Sequence, residues 1–188
     1  MNKKIFIIIF LLSMGLTACS KNTFPSDIER EIEKQMDVNI TIPTQENLSI
    51  TFISLLLPPE LDLKTTGNRY IAQVIYANEK GELISLTDEQ KQQIEENNRM
   101  RILYGEYKGE KTVELNIGKG SSSLSGSENK KIGDVLVEYK LEETKRGKIL
   151  FLLFNDKDVY YLMKFHLSSL FTEQDGLNFA ADLINNTR

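Results

Sequence analysis

The chain has 188 residues, of which 40% are hydrophobic and 27% are charged, with a formal net charge of −4, one cysteine and one histidine. This length suits a single domain with a sizeable hydrophobic core. A mildly acidic chain without a basic stripe lacks the electrostatic footprint of a nucleic-acid-binding protein. A single cysteine excludes a disulfide framework and a zinc site built from several thiolates.

The first eighteen residues have the pattern of an export signal. Lys3 and Lys4 precede an apolar run from Ile5 to Leu12, and small residues follow before Cys19. A short apolar core behind a charged start is typical of signal peptides. The run is too short to cross a bilayer, which takes roughly 20 apolar residues. We therefore expect residues 1–18 to be a signal peptide.

The tetrapeptide that closes this segment, Leu16-Thr17-Ala18-Cys19, resembles the bacterial lipobox. The resemblance implies cleavage before Cys19 and a thioether-linked diacylglycerol on the Cys19 sulfur. The alternative is an ordinary buried thiol, because free cysteine behaves as a small hydrophobe. The position of Cys19 directly after a signal-like segment favours the lipoprotein interpretation, and two or more acyl chains anchor a protein stably.

A lipidated chain that starts at Cys19 has a defined organisation. Loss of residues 1–18 removes two lysines and no acid, so the net charge becomes −6. An anionic membrane surface would repel such a chain, and the lipid must therefore hold it. Residues 19–25 form a short polar tether and residues 26–188 one domain. We expect the protein at the cell membrane, lipid-anchored on the extracytoplasmic face, in an envelope of one membrane or two.

The first part of the domain mixes short helices and strands. Ile28, Ile32 and Met36 recur at helical spacing and predict a helix over 27–36. Strands are predicted at 48–57 and 70–77, with a return strand at 82–86, and at 99–107 and 112–117, joined by a turn at Lys108-Gly109. A polar helix is predicted from Thr87, whose capping box is completed by Gln90, and a flexible Gly/Ser-rich loop at 118–131.

The last part of the domain has the clearest pattern. Strands at 135–142, 149–154 and 159–167 are separated by short turns and predict a three-stranded antiparallel meander. A helix from Thr172 to about Asn186 has an apolar stripe that should cover one face of the sheet. Gly176 should weaken that helix by about 1 kcal/mol relative to alanine. The predicted fold class is α+β, an antiparallel sheet covered by a C-terminal helix, with a short N-terminal helix.

This order of elements resembles a small domain found in many bacterial lipoproteins, the domain-of-unknown-function 4367 group. The resemblance covers about residues 50–186 and rests on the segment Leu57-Pro58-Pro59-Glu60-Leu61, the strands of the meander and the closing helix. Such domains are similar in outline to half-barrel lipoprotein carriers, which hold acyl chains between sheet and helices. The resemblance therefore implies a lipid-like ligand as one function, although a fold does not determine a function.

The sequence offers little catalytic chemistry. His166 is the only histidine, so no second histidine can share a metal ion with it, and no GxSxG nucleophile elbow occurs. Asn155, Asp156 and Asp158 lack EF-hand spacing and are ordinary turn formers between two strands. The loop at 118–131 lacks the P-loop spacing GxxxxGK[ST]. We predict no catalytic residue, no metal, no cofactor and no enzymatic activity.

Aromatic side chains in the meander form the one constellation that suggests a site. The set consists of Tyr139, Phe151, Phe154, Tyr160, Tyr161 and Phe165. The first interpretation is sheet core, because aromatic residues are ordinary strand residues. The second is a face that meets a ligand or partner, because an exposed apolar patch marks an interaction site.

Two functions follow from these patterns. The first is a non-enzymatic binding or assembly-supporting lipoprotein, whose partners are the membrane, through its anchor, and an unidentified protein. The alternative is a carrier or sensor that holds a lipid-like ligand on a curved apolar face of the sheet.

Overall fold

The computed structural model describes residues 26–57 and 70–187. Its elements in chain order are α1 (Ser26–Met36), β1 (Ser49–Leu56), β2 (Ile71–Ala77), α2 (Asp88–Asn98), β3 (Met100–Tyr104), β4 (Lys111–Lys119), β5 (Glu128–Ile132), β6 (Val135–Thr144), β7 (Gly147–Asp156), β8 (Val159–Leu167) and α3 (Glu173–Thr187).

The eight strands form one sheet in the order β3-β1-β2-β4-β8-β7-β6-β5. Every pair of neighbouring strands is antiparallel. The α+β prediction is thus confirmed, including the short N-terminal helix and the C-terminal helix.

The predicted meander is also confirmed. Strands β6, β7 and β8 pair in sequence, and Leu152 lies opposite Met163 while Leu150 lies opposite Phe165. Alternating apolar residues place these side chains on the same face, because successive side chains of a strand point to opposite faces. The turns between the strands contain Gly147, with φ 130°, and Lys157, with φ 52°.

One face of the sheet, which we call the covered face, packs against α1, α3 and the segment 38–48. Ile32 and Met36 of α1 belong to the same buried cluster as Phe179 and Leu183 of α3 and the inward residues of the strands. The Tyr76 hydroxyl donates a hydrogen bond to the Pro43 carbonyl at 3.0 Å across this interface. Both helices therefore contribute to a single core on one side of the sheet.

The predicted return strand at 82–86 is wrong. This segment makes only an isolated bridge between Leu83 and Tyr107, and Leu83 is 52% exposed. Its backbone pairs with residues 106–108, through hydrogen bonds such as that from the Ile84 amide to the Glu106 carbonyl at 2.8 Å. The physical reason is that β2 has no free edge, since β1 and β4 occupy both of its sides.

The predicted hairpin between 99–107 and 112–117 is wrong as well. The two strands form, as β3 and β4, but β3 pairs with β1 whereas β4 pairs with β2 and β8. The β1–β2 hairpin lies between them. Its strands carry apolar side chains such as Ile53 and Val74 that are fully buried, so their burial favours the inner position of the sheet.

Part of the predicted loop at 118–131 is a strand. Residues Glu128–Ile132 form β5 and pair with β6 as the outermost strand of the sheet. Charged residues dominate this edge strand, which is a common way of preventing further pairing at a sheet edge.

The polar helix predicted from Thr87 is α2, and its capping box is confirmed. The Thr87 hydroxyl accepts from the Gln90 amide, and the Gln90 side chain accepts from the Thr87 amide. None of its residues is buried. A helix that is polar all round and starts with a capping box is consistent with an exposed position beside the sheet.

Several predictions concern residues outside the described part of the chain. They are the signal peptide at 1–18, the lipidated Cys19, the tether at 19–25 and residues 58–61 of the segment on which the family resemblance rests. Among the described residues, no helix combines the length and the apolar character that crossing a membrane requires.

Gly176 provides a test of the packing between α3 and the sheet. A Cβ atom at this position would lie 3.0 Å from Leu150 Cδ2 and 3.3 Å from the Phe165 ring. Overpacking costs about 1–3 kcal/mol, whereas alanine gains about 1 kcal/mol in helix propensity over glycine. We expect Gly176→Ala to lower the free energy of unfolding by about 1 kcal/mol in urea denaturation.

Gln174→Ala is the matched control, because Gln174 is an exposed residue of the same helix. It should change the free energy of unfolding by no more than about 0.5 kcal/mol. A Gly176→Ala chain more stable than the parent would show that the helix does not approach the sheet this closely.

Candidate functional site

The face of the sheet opposite α1 and α3, which we call the open face, is the candidate site. Ile75 and Leu153 lie on it and are only 2% and 1% exposed, yet they lie outside the buried cluster of the covered face. Its other members, read from the strand register, include Phe52, Ser54, Leu56, Ile71, Gln73, Met100, Ile102, Thr112, Glu114, Asn116, Gly118, Asn129, Lys131, Leu136, Glu138, Lys140, Glu142, Ile149, Phe151, Asn155, Tyr160, Leu162, Lys164 and His166.

The structure divides the six aromatic candidates between the two faces, so they do not form one ligand or partner face. The larger group, Tyr139, Phe154, Tyr161 and Phe165, belongs to the buried cluster of the covered face. Phe154 stacks on Tyr161 with ring centroids 4.9 Å apart, and Phe165 stacks on Phe171 at 5.8 Å. Of the predicted set, only Phe151 and Tyr160 lie on the open face, where both are half-buried.

The hydroxyl groups of Tyr139 and Tyr161, which lie on the covered face, have raised pKa values. Burial, together with the carboxylate of Glu173, raises the pKa of Tyr139 to about 12. Burial likewise raises the pKa of Tyr161 to about 12. The Tyr139 hydroxyl donates to Glu173 Oε1 at 2.8 Å, which ties β6 to the start of α3. These tyrosines therefore serve as protonated structural donors, and neither is poised as a base near neutral pH.

Tyr160 lies directly over Gly118 on the open face. A Cβ atom at Gly118 would fall 2.3 Å from the Tyr160 ring, so only glycine leaves room for the ring in this position. Gly118 and Tyr160 are register partners on β4 and β8. The close approach places the aromatic ring against the backbone of β4 in the middle of the sheet.

A polar belt crosses the centre of the open face. The Gln73 amide donates to Asn116 Oδ1 at 3.4 Å, and the Asn116 amide donates to Glu114 Oε1 at 3.4 Å. Glu114 lies opposite Lys164 in the sheet register. Apolar residues flank the belt on both sides, with Phe52 and Ile102 toward β3 and other apolar side chains toward β6. The open face is therefore amphipathic, with two apolar areas separated by a charged and amide-bearing strip.

His166 belongs to the same face, and among residues 26–57 and 70–187 its ring has no hydrogen-bonded partner that would orient it for catalysis. Burial lowers its pKa below the usual 6.5, and the neighbouring Lys164 and Lys111 lower it further, while Glu114 and Glu110 oppose the shift. An acid–base catalyst needs an orienting group within hydrogen-bond reach. The surroundings of His166 instead favour a neutral imidazole in a mixed-charge strip.

The residues considered for calcium serve as structural elements. Asp156 and Asp158 flank Lys157 in the tight β7–β8 turn. Asn155 makes two hydrogen bonds with the backbone of Ser122. No group of three or more His, Cys, Asp or Glu side chains with metal-binding geometry occurs in the described part of the chain.

Two small clefts lie at the ends of the covered face. One, of about 210 Å³, is lined by amide side chains and by Phe179, and the other, of about 280 Å³, lies beside the β7–β8 turn. Between them the inward residues of the strands and helices are buried in a continuous cluster. A ligand pocket for a drug-sized molecule occupies about 300–1,000 Å³. Neither cleft reaches that size.

A further feature of the open face was missed by the sequence prediction. The Gly/Ser-rich segment 120–127 crosses the sheet on this face and is held there by Glu138 and Asn155. Its composition predicted flexibility. No local sequence pattern indicates this placement. It follows from the topology of the sheet, because β4 lies beside β8 whereas β5 lies beside β6, so the chain that connects them must pass three strands.

Comparisons with known proteins give no functional lead. No family model matches the chain, and no curated protein and no solved structure is significantly similar to it. The resemblance to the domain-of-unknown-function 4367 group stays a prediction.

The depressed pKa of His166 predicts a pH dependence of stability. The unfolded chain takes up a proton near pH 6.5, whereas the folded chain resists protonation until lower pH. The free energy of unfolding should therefore fall as the pH drops below 6.5 through the folded-state pKa. Urea denaturation of the parent and of His166→Gln at several pH values from about 7.5 to 5.5 measures the effect. The substitution should flatten the dependence, and parallel profiles would contradict the placement of His166.

Proposed function

We propose that this chain is a non-enzymatic, lipid-anchored lipoprotein that binds a protein partner through the open face at the outer surface of the cytoplasmic membrane. The observation that carries the proposal is the asymmetry of the sheet. Its covered face packs against two helices, whereas its open face presents apolar areas on both sides of a polar belt. Apolar patches rimmed by polar residues mark interaction sites.

The polar belt favours a protein over a lipid as the occupant. Acyl chains would remove water from Glu114, Lys164, Gln73 and Asn116. The hydrogen bonds from Gln73 to Asn116 and from Asn116 to Glu114 do not use all of their donors and acceptors, and burial of unpaired polar groups is costly. A protein partner supplies apolar side chains and polar groups in one surface, as protein interfaces do. The carrier alternative has less support, because the space between the sheet and the helices is filled by core side chains.

The proposed anchor limits where the partner is found. A tether over residues 19–25 can span at most about 25 Å, since an extended chain reaches about 3.6 Å per residue. Because α1 begins at Ser26, the domain stays within that distance of the lipid head groups. The partner therefore lies at the membrane surface or reaches down to it.

Substitution of the anchor tests the first half of the proposal. We expect Cys19→Ala to remain unlipidated, because alanine offers no sulfur for the thioether. The variant should then lose its firm membrane attachment, since the acidic domain is not attracted to anionic lipid. Membrane fractionation of cells measures this directly. Partition into membranes equal to that of the parent would show that Cys19 is not the anchor.

Site-specific photo-cross-linking in living cells tests the open face. A benzoylphenylalanine at Phe151 should give a discrete cross-linked product with another polypeptide, because Phe151 is half-buried on the open face. The same amino acid at Gln174, an exposed residue of α3 on the other side of the molecule, is the matched control. Products of the same mass and yield from both positions, or from Gln174 alone, would contradict the proposal.

A further inference from the structure

The segment Gly120–Ser127, which we call the strap, connects β4 to β5 across the open face. In the sheet order β4-β8-β7-β6-β5 it must pass three intervening strands. Four gaps between strands amount to about 19 Å, and eight extended residues reach about 26 Å. The strap is therefore long enough to cross the sheet, and it includes a turn in its second half, where the Ser127 amide donates to the Leu124 carbonyl at 3.2 Å.

Asn155 holds the first half of the strap through the backbone. The Ser122 amide donates to Asn155 Oδ1 at 2.9 Å, and Asn155 Nδ2 donates to the Ser122 carbonyl at 3.1 Å. The side-chain amide thus pairs with both backbone groups of one residue, as a neighbouring strand would. This contact recognises backbone groups and does not depend on which side chain stands at position 122.

Glu138 holds the second half of the strap. Its Oε2 accepts from the Leu124 amide at 2.5 Å and from the Ser127 hydroxyl at 3.0 Å. Hydrogen bonds to a charged acceptor are stronger than those between neutral groups. Glu138 therefore fixes the register of the strap, because it accepts hydrogen bonds from the Leu124 backbone amide and from the Ser127 hydroxyl.

The strap carries a single apolar residue, Leu124. Leu124 is half-buried, and its amide is bound by Glu138, which lies opposite Leu153 in the sheet register. Leu153 is almost fully buried although it points to the open face. We call Asn155, Glu138 and Leu153 the strap site.

We propose that the strap is an internal surrogate for part of the partner, and that the strap site binds a polypeptide segment with one aliphatic residue flanked by small polar residues. This inference rests on the proposed function of the open face. The partner segment displaces the strap and takes over its hydrogen bonds to Asn155 and Glu138. Glycines near both ends, Gly120 with φ 93° and Gly126 with φ 73°, allow the strap to swing away.

The test uses a chain whose strap is released and a peptide that copies the strap. In the full chain, kept in mild detergent, Ser122→Pro with Leu124→Pro removes two backbone donors and the aliphatic side chain while leaving the strap site unchanged. The probe is the ten-residue peptide KGSSSLSGSE, which corresponds to residues 119–128. NMR titration follows the Asn155 side-chain amide and the Leu153 methyl groups.

The released variant should bind the peptide, with concentration-dependent shifts of the Asn155 side-chain amide and the Leu153 methyl groups. The parent should bind it more weakly, by a factor of about 1 plus the ratio of the strap's effective concentration, which is in the millimolar range, to the Kd measured for the released variant. A peptide with serine in place of the leucine should cause no shifts. Ser123→Pro, at an exposed strap residue, is the matched control chain and should behave like the parent.

The proposal is overturned if the folded, released variant shows no shifts at the strap site, or if the serine peptide shifts the same signals equally. Should the double variant fail to fold, Leu124→Pro alone carries the same test. Failure here is distinct from failure of the proposed function. A cross-linked product from Phe151 without peptide binding would overturn only the strap inference. Peptide binding without a cross-linked product would overturn only the proposal that the open face binds a protein partner in cells.

Discussion

The pairing between β4 and β8 is the interaction on which the rest of the structure depends. It joins the strands β3, β1, β2 and β4 to the C-terminal strands β8, β7, β6 and β5. Register pairs such as Leu115 with Met163 and Ile117 with Tyr161 make the apolar surface of the covered face continuous across the junction. Without this pairing, α1 and α3 would cover two separate half-sheets. One core therefore stabilises both halves of the chain.

The same pairing determines the character of the open face. It brings Glu114 opposite Lys164 and puts the Tyr160 ring over Gly118, so the polar belt and its aromatic neighbour both lie at the junction. It also requires the strap, because β4 lies in the middle of the sheet and β5 lies at its edge. A cover made of small polar residues is held by a few hydrogen bonds and buries little apolar area, so its removal costs less than removal of a packed helix. This difference makes the open face easier to uncover than the covered face.

Sequence reasoning succeeded where structure is determined locally. Alternation in 135–142 and 159–167, the capping box at Thr87 and the apolar stripe of the last helix each predicted an element that forms. It failed where pairing is determined by distant residues. The return strand at 82–86 was wrong because β4, more than thirty residues from β2, occupies the edge that this strand would need.

Prediction of the candidate site was limited in the same way, because it also depends on contacts between distant residues. The sequence identified Phe151 and Tyr160 among its aromatic residues, but it could not separate them from the core residues Phe154 and Tyr161. The burial of a strand residue depends on which face receives the helices, and that is a property of the assembled sheet. The sequence also could not predict that Glu138 holds the strap. A Gly/Ser-rich segment contains no pattern that indicates which carboxylate accepts its hydrogen bonds.

Native mass spectrometry of the protein, released gently from membranes in detergent, tests the central claim most directly. The parent chain is compared with Leu162→Lys, which places a charge in the apolar area of the open face. We predict a non-covalent polypeptide adduct on the acylated parent and its loss from a folded Leu162→Lys chain. A lipid adduct in place of a polypeptide, or the same polypeptide adduct on both chains, would contradict the assignment of the open face as a protein-binding surface.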